Sequence, residues 1–368
     1  MALSDDVIRS APKVALHDHL DGGLRPATVL ELSREFGAPG TGLPAALGPA
    51  GEWQTPDDVA DWFFRTADSG SLPRYLETFG VTVTLMQTAA ALRRVAREFV
   101  EDMVADHVVY AETRWAPQQH LAGGLSLDEA VAAVQQGLDE AMAAARAAGT
   151  PIVVRQLITV MRQLDPDPAL AELTVSWLGR GVVGMDLAGP EDGFPASRFR
   201  ELFDAVRAAG GHLTIHAGEA AGLESIRTAL DCGAERLGHG VRLVDDLTSH
   251  GSAVMSLGPI ASQVRIEEIA LEVCPSSNIQ TGVCRTLADH PVGALWRAGL
   301  PVTISCDNRL MSATSMTREL TLVCRQLDWE LEDLRRAQVI ALESAFCDEE
   351  TFETLQADLD DRFDALAR

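Results

Sequence analysis

The sequence predicts an α/β fold, a (β/α)8 TIM barrel with a helical insertion after its first strand. Short apolar runs rich in β-branched residues alternate along the chain with longer segments of helical periodicity. Several of these runs are apolar without interruption, as expected of parallel strands buried on both faces. The size agrees, because 368 residues with 46% hydrophobic composition suit one large domain, which we assign to residues 1–368. An open, doubly wound sheet is the alternative.

Eight segments are candidates for the barrel strands, and each is short and mostly apolar. In chain order they are Val14–His19, His107–Trp115, Ile152–Thr159, Val182–Leu187, Leu213–His216, Arg236–His239, Ala270–Cys274 and Val302–Cys306. Amphipathic segments such as Leu127–Ala148 and Ala196–Ala209 lie between most of them. These segments predict the helices that surround the barrel.

One connection is much longer than the others, because residues 24–106 separate the first two strands. Helical patterns cover Pro26–Phe36, Pro56–Ala67 and Ala90–Val104, and the Pro/Gly-rich segment Gly37–Gly51 is typical of a loop. We therefore predict that residues 24–106 form a helical cap over one mouth of the barrel.

The net charge of −24 bears on the partners and the cellular compartment. Such an acidic surface repels nucleic acid and anionic membranes, so we expect neither as a partner. No apolar run is long enough to span a membrane, and the N-terminal segment MALSDDVIRSAPK has no apolar core of a signal peptide. The six cysteines form no CxxC pair, which indicates reduced thiols and a cytoplasmic protein.

The stretch VALHDHLDGG places His17 and His19 near the start of the chain. Alternate residues of a strand share one face, so both imidazoles are expected to point into the barrel. Neutral imidazole nitrogens are good ligands for a divalent metal ion. The pair alone leaves open the alternative that both histidines are hydrogen-bonded without a metal.

Three further stretches carry polar residues at or just after the end of a predicted strand. LTIHAGE contains His216 and Glu219, RLGHGV contains His239, and VTISCDNRL contains Asp307 and Asn308. Each polar residue follows a predicted strand at its C-terminal end, the face where barrel enzymes carry their active sites. Three imidazoles and a carboxylate suit Zn²⁺ or a similar ion, which lowers the pKa of bound water to about 7.

Each of these residues also has an ordinary structural alternative. Glu219 is suited to a helix start, where a carboxylate is stabilised by the helix dipole. His239 suits a hydrogen-bonded core position, and Asp307 suits a helix N-cap. Their shared position at strand ends favours the functional interpretation, with a separate glutamate as proton donor.

An ordered series of motifs resembles the adenosine deaminase family of the amidohydrolase superfamily. The series is HxHLDG, DLAG, HAGE, GHG, EVCPSSNIQTG and a final strand with Asp-Asn, and it runs from about residue 10 to residue 345. HAGE and CPSSNIQTG in this order are the most specific of these motifs. The resemblance implies a single zinc ion per chain, and the ligands it implies are His17, His19, His216 and Asp307.

The resemblance also implies the reaction and the roles of further residues. Glu219 is expected to protonate N1 of a purine, while His239 orients and deprotonates the attacking water with the assistance of Asp307. Loss of ammonia converts a 6-aminopurine into a 6-oxopurine. Asp21 matches a position that contacts the ribose of a nucleoside, and the backbone of Gly189 matches a contact to N3.

The last strand departs from the family pattern at three positions. Asn308 stands where many members carry a second aspartate that faces N7, and an amide donates to N7 without needing an added proton. Ser305 and Cys306 replace the more usual Asn-Thr, and Cys306 is expected in the core. These changes spare the metal ligands but leave the substrate open.

Adenosine and 2′-deoxyadenosine are the leading substrates, since Asp21 favours a substrate with a sugar. The alternatives are aminodeoxyfutalosine or another modified nucleoside, free adenine, or a metal-binding barrel without activity. The expected partners are therefore a small purine nucleoside and water.

Overall fold

A computed structural model of the chain describes residues 3–35, 53–250 and 254–368. Eight parallel strands hydrogen-bond in chain order, and the last strand meets the first. At that seam the His19 N–H donates to the Asp307 carbonyl over 2.8 Å, and the Asp307 N–H donates to the His17 carbonyl over 2.9 Å. The predicted (β/α)8 barrel is therefore confirmed, and the open sheet is wrong.

The strands differ from the predicted segments by at most two residues at either end. Their bounds are Lys13–His19, Val108–Trp115, Val153–Met161, Val182–Ala188, His212–Ala217, Arg236–His239, Ala270–Val273 and Val302–Ile304. A separate antiparallel pair, Leu247–His250 and Val254–Leu257, follows the sixth barrel strand.

Helices surround the barrel and fill the long connection after its first strand. The α-helices are Asp5–Ser10, Pro26–Glu35, Pro56–Ala67, Leu72–Leu76, Phe79–Leu85, Ala89–Ala105, Leu127–Ala147, Pro168–Trp177, Arg200–Ala208, Leu223–Asp231, Pro259–Ile266, Pro275–Gln280, Val292–Arg297, Met316–Leu327, Leu331–Glu343 and Glu349–Leu366. Short 3₁₀ helices are Leu20–Gly22, Pro117–Gln119, Ala196–Phe199, Val241–Asp246 and Leu287–Asp289. Within the described ranges, no helix has the length and apolar character to cross a membrane.

The helix Leu127–Ala147 shows how local sequence sets these elements. Ser126 accepts the N–H of Glu129 at the N-terminus, and the Glu129 carboxylate accepts the N–H of Ser126 in return. This capping box satisfies backbone donors that the helix itself leaves unpaired. Along one face the helix buries Val134 and Leu138 against the rest of the core, which anchors it to the barrel.

In its described residues, 24–35 and 53–106, the long connection contains the three predicted helices and two more, Leu72–Leu76 and Phe79–Leu85. The second reads FGVTVTL, and its alternation of apolar and polar residues is a strand pattern, so periodicity does not reveal a helix there. The predicted loop Gly37–Gly51 lies outside the described residues. The role of residues 24–106 as a cap stays a prediction.

Charged side chains fill the middle of the barrel beneath the mouth. Arg236 lies between Glu112 and Glu272, and its Nε is 2.7 Å from Glu272 Oε1. Arg114 Nη2 lies 2.8 Å from the other oxygen of Glu272. All four side chains are buried, so each charge depends on its partners rather than on water.

We expect Arg236→Leu to lower the free energy of unfolding by about 3–5 kcal/mol, because it leaves two buried carboxylates without their shared cation. Arg227→Leu is the matched control, since Arg227 lies half exposed on a surface helix. Denaturant unfolding of both variants measures the difference. Equal losses in the two variants would contradict the stabilising role of the buried network.

Candidate active site

The C-terminal ends of four barrel strands bring five predicted residues together. His17 and His19 come from the first strand, His216 from the fifth and His239 from the sixth, and Asp307 follows the eighth. The His17 ring centroid lies 4.7 Å from that of His216 and 4.8 Å from that of His239. His19 Nε2 lies 3.3 Å from His216 Nε2. Residues almost 300 positions apart thus form one cluster.

Asp307 is the carboxylate of this cluster. Its Oδ1 lies 3.4 Å from His17 Nε2 and 3.3 Å from His19 Nε2, while its Oδ2 accepts a hydrogen bond from Ser277 Oγ. Burial on its own raises the pKa of this carboxyl, but the adjacent His17 ring and the other surrounding histidines lower the pKa below its usual value. Asp307 is therefore an anion suited to a cation.

Two histidines are held with one ring nitrogen turned into the cluster. His17 Nδ1–H donates to Glu272 Oε2 over 2.8 Å, and His216 Nδ1–H donates to Asp186 Oδ1 over 2.9 Å. When the rings are neutral their Nε2 atoms carry lone pairs, and that of His17 is buried without a hydrogen-bond partner. Carboxylates behind imidazoles in this way are the usual support of metal-binding histidines.

The cluster therefore fits a metal ion. Ligand atoms of His17, His216, His239 and Asp307 all lie within 4.8 Å of one another. His19 lies outside that group but adjoins it, since its Nε2 is 3.3 Å from both His216 Nε2 and Asp307 Oδ1. Distances alone thus offer five donors for an ion that takes four protein ligands at most in such sites.

Glu219 lies beside the cluster and is buried. Its Oε1 accepts a hydrogen bond from Thr281 Oγ1 over 2.8 Å, and its Oε2 is 3.5 Å from His239 Nε2. Burial, and next the charge of Asp307, raise the pKa of Glu219 to about 8. Glu219 is therefore a proton donor at neutral pH. The helix-start alternative is wrong, because the next helix begins at Leu223.

The loop that carries Glu219 is held by another carboxylate. Glu191 accepts hydrogen bonds from the backbone N–H groups of Gly218, Glu219, Ala220 and Ala221. The four donors lie between 2.5 and 3.1 Å from its oxygens. This arrangement fixes the backbone on both sides of Glu219, and sequence reasoning did not single out Glu191.

Backbone conformation also sets the direction of two cluster residues. His239 and Asp307 have φ values of 62° and 60°, in the left-handed region that non-glycine residues rarely adopt. Asp307 accordingly caps no helix, and its side chain turns into the cluster. Gly238 favours close packing on His216, because a Cβ there would lie 3.0 Å from the His216 ring. Strain of this kind is typical of functional positions.

A cavity of about 190 Å³ opens next to the cluster. A smaller cavity of about 30 Å³ adjoins it and contains the side chains of Glu219, His239 and Asp307 in its wall. Both share Leu76 and Phe79 from the inserted helices. These two side chains thus line both cavities, a role that sequence reasoning did not assign to them.

The three predicted substrate-binding residues line these cavities. Asp21 lies in a 3₁₀ helix, with Oδ2 at 3.5 Å from His120 Nε2 and Oδ1 buried without a hydrogen-bond partner. Gly189 follows the fourth strand with a φ of 106°. Asn308 packs against Gly22, where a Cβ would lie 1.9 Å from Asn308 Oδ1. That close approach explains the glycine after HLD.

Several residues that hydrogen-bond to the cluster lie in the sequence motifs, but sequence reasoning assigned them no role. Asp186 and Glu272 each interrupt an otherwise apolar strand, and an acidic residue in such a run is a signal that sequence reasoning can use. Ser277 and Thr281, in contrast, are ordinary polar residues of a short helix and its end. Only their contacts with Asp307 and Glu219 reveal them.

A closed parallel barrel that gathers histidines and an aspartate at its C-terminal mouth defines the class of the protein, an enzyme with the amidohydrolase fold. The sequence family described as "Adenosine deaminase" matches residues 12–362. The chain belongs to the adenosine deaminase family, and it is a hydrolytic deaminase that acts on a carbon–nitrogen bond.

Known proteins resemble this chain in sequence or in fold. "Adenosine deaminase 1" of Streptomyces coelicolor is 49% identical over 344 residues, which cover 93% of this chain and 84% of that protein. The crystal structure of an N6-mAMP deaminase from Arabidopsis superposes with a TM-score of 0.80 at 26% identity, over 97% of this chain and 99% of that one. An amidohydrolase from Burkholderia ambifaria, solved with bound Zn, superposes with a TM-score of 0.81 at 24% identity, over 100% of this chain and 95% of that one.

Proposed function

We propose that the protein deaminates adenosine and 2′-deoxyadenosine to inosine and 2′-deoxyinosine with release of ammonia. The observation that carries this proposal is the position of the buried Glu219, whose Oε2 lies 3.5 Å from His239 Nε2 and whose side chain lines the small cavity beside the cluster. A proton donor beside a water-activating centre is what hydrolysis of a purine amino group requires. The relative from Streptomyces coelicolor bears the name of this activity.

The metal that we propose is Zn²⁺, one ion per chain, held by His17, His19, His216 and Asp307. Three imidazoles and one carboxylate form a donor set that zinc accepts. The buried, unpartnered His17 Nε2 supports the assignment, since an imidazole nitrogen without a partner is costly. When bound, zinc supplies Lewis-acid activation of water.

The chain's own residues then act on the purine. Glu219 donates its proton to N1, which withdraws electron density from the ring and makes C6 electrophilic. Its hydrogen bond from Thr281 fixes which oxygen faces the cavity. His239 Nε2 lies 3.5 Å from Glu219 Oε2 and is in place to orient the oxygen that attacks C6.

The predicted substrate contacts suit a nucleoside. The Asn308 amide donates to N7, the backbone N–H of Gly189 donates to N3, and Asp21 accepts a hydrogen bond from a ribose hydroxyl. The buried and unpartnered Oδ1 of Asp21 supports that last contact. Phe79 provides the apolar surface that a purine requires.

Charge argues for a nucleoside rather than a nucleotide. Among the described residues that line the larger cavity there is neither lysine nor arginine. Asp21 places a carboxylate where the sugar is expected, and a phosphate there would be repelled. The Arabidopsis structural neighbour, in contrast, is named for a nucleotide substrate.

A panel of 6-aminopurines tests the proposal with zinc-loaded protein. We expect kcat/KM for adenosine and 2′-deoxyadenosine to exceed that for AMP by at least about 100-fold, since a hydrogen-bonding site rejects groups that leave it unpaired. Loss of the adenine absorbance band reports turnover. Asp21→Asn is the matched variant, because it removes the charge that repels a phosphate. It should lower the ratio of kcat/KM for adenosine to kcat/KM for AMP.

Preference for AMP, adenine or aminodeoxyfutalosine would contradict the nucleoside assignment. Absence of turnover on every compound would favour the inactive metal-binding barrel instead. We also infer a cytoplasmic location and a place in purine metabolism, supported by the buried free thiols of Cys232, Cys274, Cys306 and Cys324. Neither nucleic acid nor a membrane is proposed as a partner, on the strength of the acidic charge.

A further inference from the structure

A chain of three buried side chains runs from the cluster into the protein. His239 Nδ1 lies 3.1 Å from Asn278 Nδ2, and Asn278 Oδ1 lies 3.3 Å from His290 Nε2. His290 Nδ1 in turn lies 3.0 Å from the backbone nitrogen of Val292. No role has been given so far to Asn278 or His290, yet both are almost fully buried behind His239.

The donor-to-acceptor direction of these hydrogen bonds is set by the last of them, between Val292 and His290. The Val292 N–H donates to His290 Nδ1, so that nitrogen carries a lone pair. Burial lowers the pKa of His290 to about 4, and its ring is neutral. The single ring proton of His290 therefore lies on Nε2 and is donated to Asn278 Oδ1.

The orientation of the Asn278 amide then decides whether His239 Nδ1 donates or accepts. Because Asn278 accepts through Oδ1, its Nδ2–H group faces His239 Nδ1 and donates to it. With the amide reversed, both nitrogens of His290 would have to accept, which a neutral imidazole cannot do. His239 Nδ1 is thus an acceptor, and the proton of the neutral ring lies on Nε2.

We propose that Asn278 and His290 are positioning residues that fix the proton of His239 on Nε2, facing the reacting atoms. The inference rests on the proposed function, because it assigns the state in which His239 meets the attacking oxygen. In this state His239 is a hydrogen-bond donor. It orients that oxygen instead of taking its proton, which a bound metal ion would allow the water to lose to solvent at about pH 7. This differs from the role that the family resemblance implies.

The same argument separates His239 from the metal ligands. Carboxylates behind His17 and His216 accept Nδ1–H and leave lone pairs on Nε2, whereas an amide donor behind His239 does the opposite. A nitrogen that carries a proton cannot bind an ion. Hydrogen bonding therefore removes His239 from the five nearby donors and leaves the four residues proposed as ligands.

Nuclear magnetic resonance of the zinc-loaded full chain with ¹⁵N-labelled histidine rings tests the proton's position. Comparison with His239→Gln identifies the His239 signals. We expect Nε2 in the protonated, pyrrole-like range and Nδ1 in the unprotonated, pyridine-like range. A proton on Nδ1, or an equal mixture of both forms, would overturn the proposal.

Asn278→Asp is the decisive variant, because a carboxylate accepts from both histidines. We expect the His239 proton to move to Nδ1, and kcat to fall roughly 10- to 100-fold with little change in KM, as for lost partners of functional imidazoles. Gln280→Glu adds a carboxylate to the same helix, facing Ser312 and the Met311 carbonyl, and should leave the His239 signals unchanged. A moved proton with unchanged kcat would overturn the positioning role.

Two substitutions of His290 separate positioning from packing. His290→Gln keeps a side-chain N–H within reach of Asn278 Oδ1 and should retain the His239 signals and the rate. His290→Leu removes that donor and should mix the two tautomers; unchanged signals in this variant would refute the role of His290. If wild type deaminates nothing while Nε2 carries the proton, the proposed function fails and the tautomer assignment stands.

Discussion

Glu219→Gln is expected to lower kcat by about 10²–10⁴-fold, the range typical of a lost general acid. Gln has the shape of Glu and still accepts the Thr281 hydrogen bond, but it has no acidic proton to give to N1. Glu219 is not a ligand of the proposed site, so the zinc content should stay at about one ion per chain. Steady-state kinetics and elemental analysis of the same preparation measure both quantities.

Glu224→Gln is the control for this substitution. Glu224 lies five residues further along the chain, its side chain is 87% exposed, and the change removes the same charge. We expect wild-type kinetics from this variant. Full turnover by Glu219→Gln would refute the role of Glu219 as the acid. Loss of zinc from this variant would indicate instead that Glu219 is needed for metal binding.

His216→Ala should abolish both metal binding and activity. The substitution removes one of four proposed ligands and leaves the buried Asp186 carboxylate without its imidazole partner at 2.9 Å. Removal of the hydrogen-bond partner behind a metal-binding histidine already lowers metal affinity or activity by about 10–100-fold, and a lost ligand costs more. We expect the zinc content to fall to near zero and deamination to fall below detection after zinc is added back.

His212→Ala is the matched control, because His212 lies on the same strand at its opposite end. Its side chain is 42% exposed and stacks on Phe346 with ring centroids 4.5 Å apart. This variant should keep its zinc and its activity. Retention of a full zinc equivalent by His216→Ala would contradict the ligand assignment.

Much of the barrel could be predicted because each strand is recognised from a short run of neighbouring residues in the sequence. Arg236–His239 forms the strand that the sequence predicts, and the other strands shift by at most two residues. The end of each strand is also local, so the position of His17, His216 and His239 at one face followed from the fold class. The family assignment rested on motifs of the same local kind.

The inserted helices and the supports of the site were harder to predict. Phe79–Leu85 has the alternation of a strand, and its helix depends on tertiary packing, which buries Val81, Thr82 and Leu85, rather than on its own pattern. Glu272 supports His17 from 255 residues away, and Asn278 supports His239 from 39 residues away. No spacing rule in one chain reveals such pairs.

The sequence by itself determined the fold class, the strand ends and the residue types that meet at the mouth, because periodicity and strand direction depend on neighbours along the chain. Tertiary structure alone decided which atoms of those residues face one another. Closure of the barrel brings Asp307 against His17 and His19, and buried carboxylates then accept the Nδ1–H groups of His17 and His216. Hydrogen-bond direction depends on distance in space, and distance in space is set only when the strands have paired.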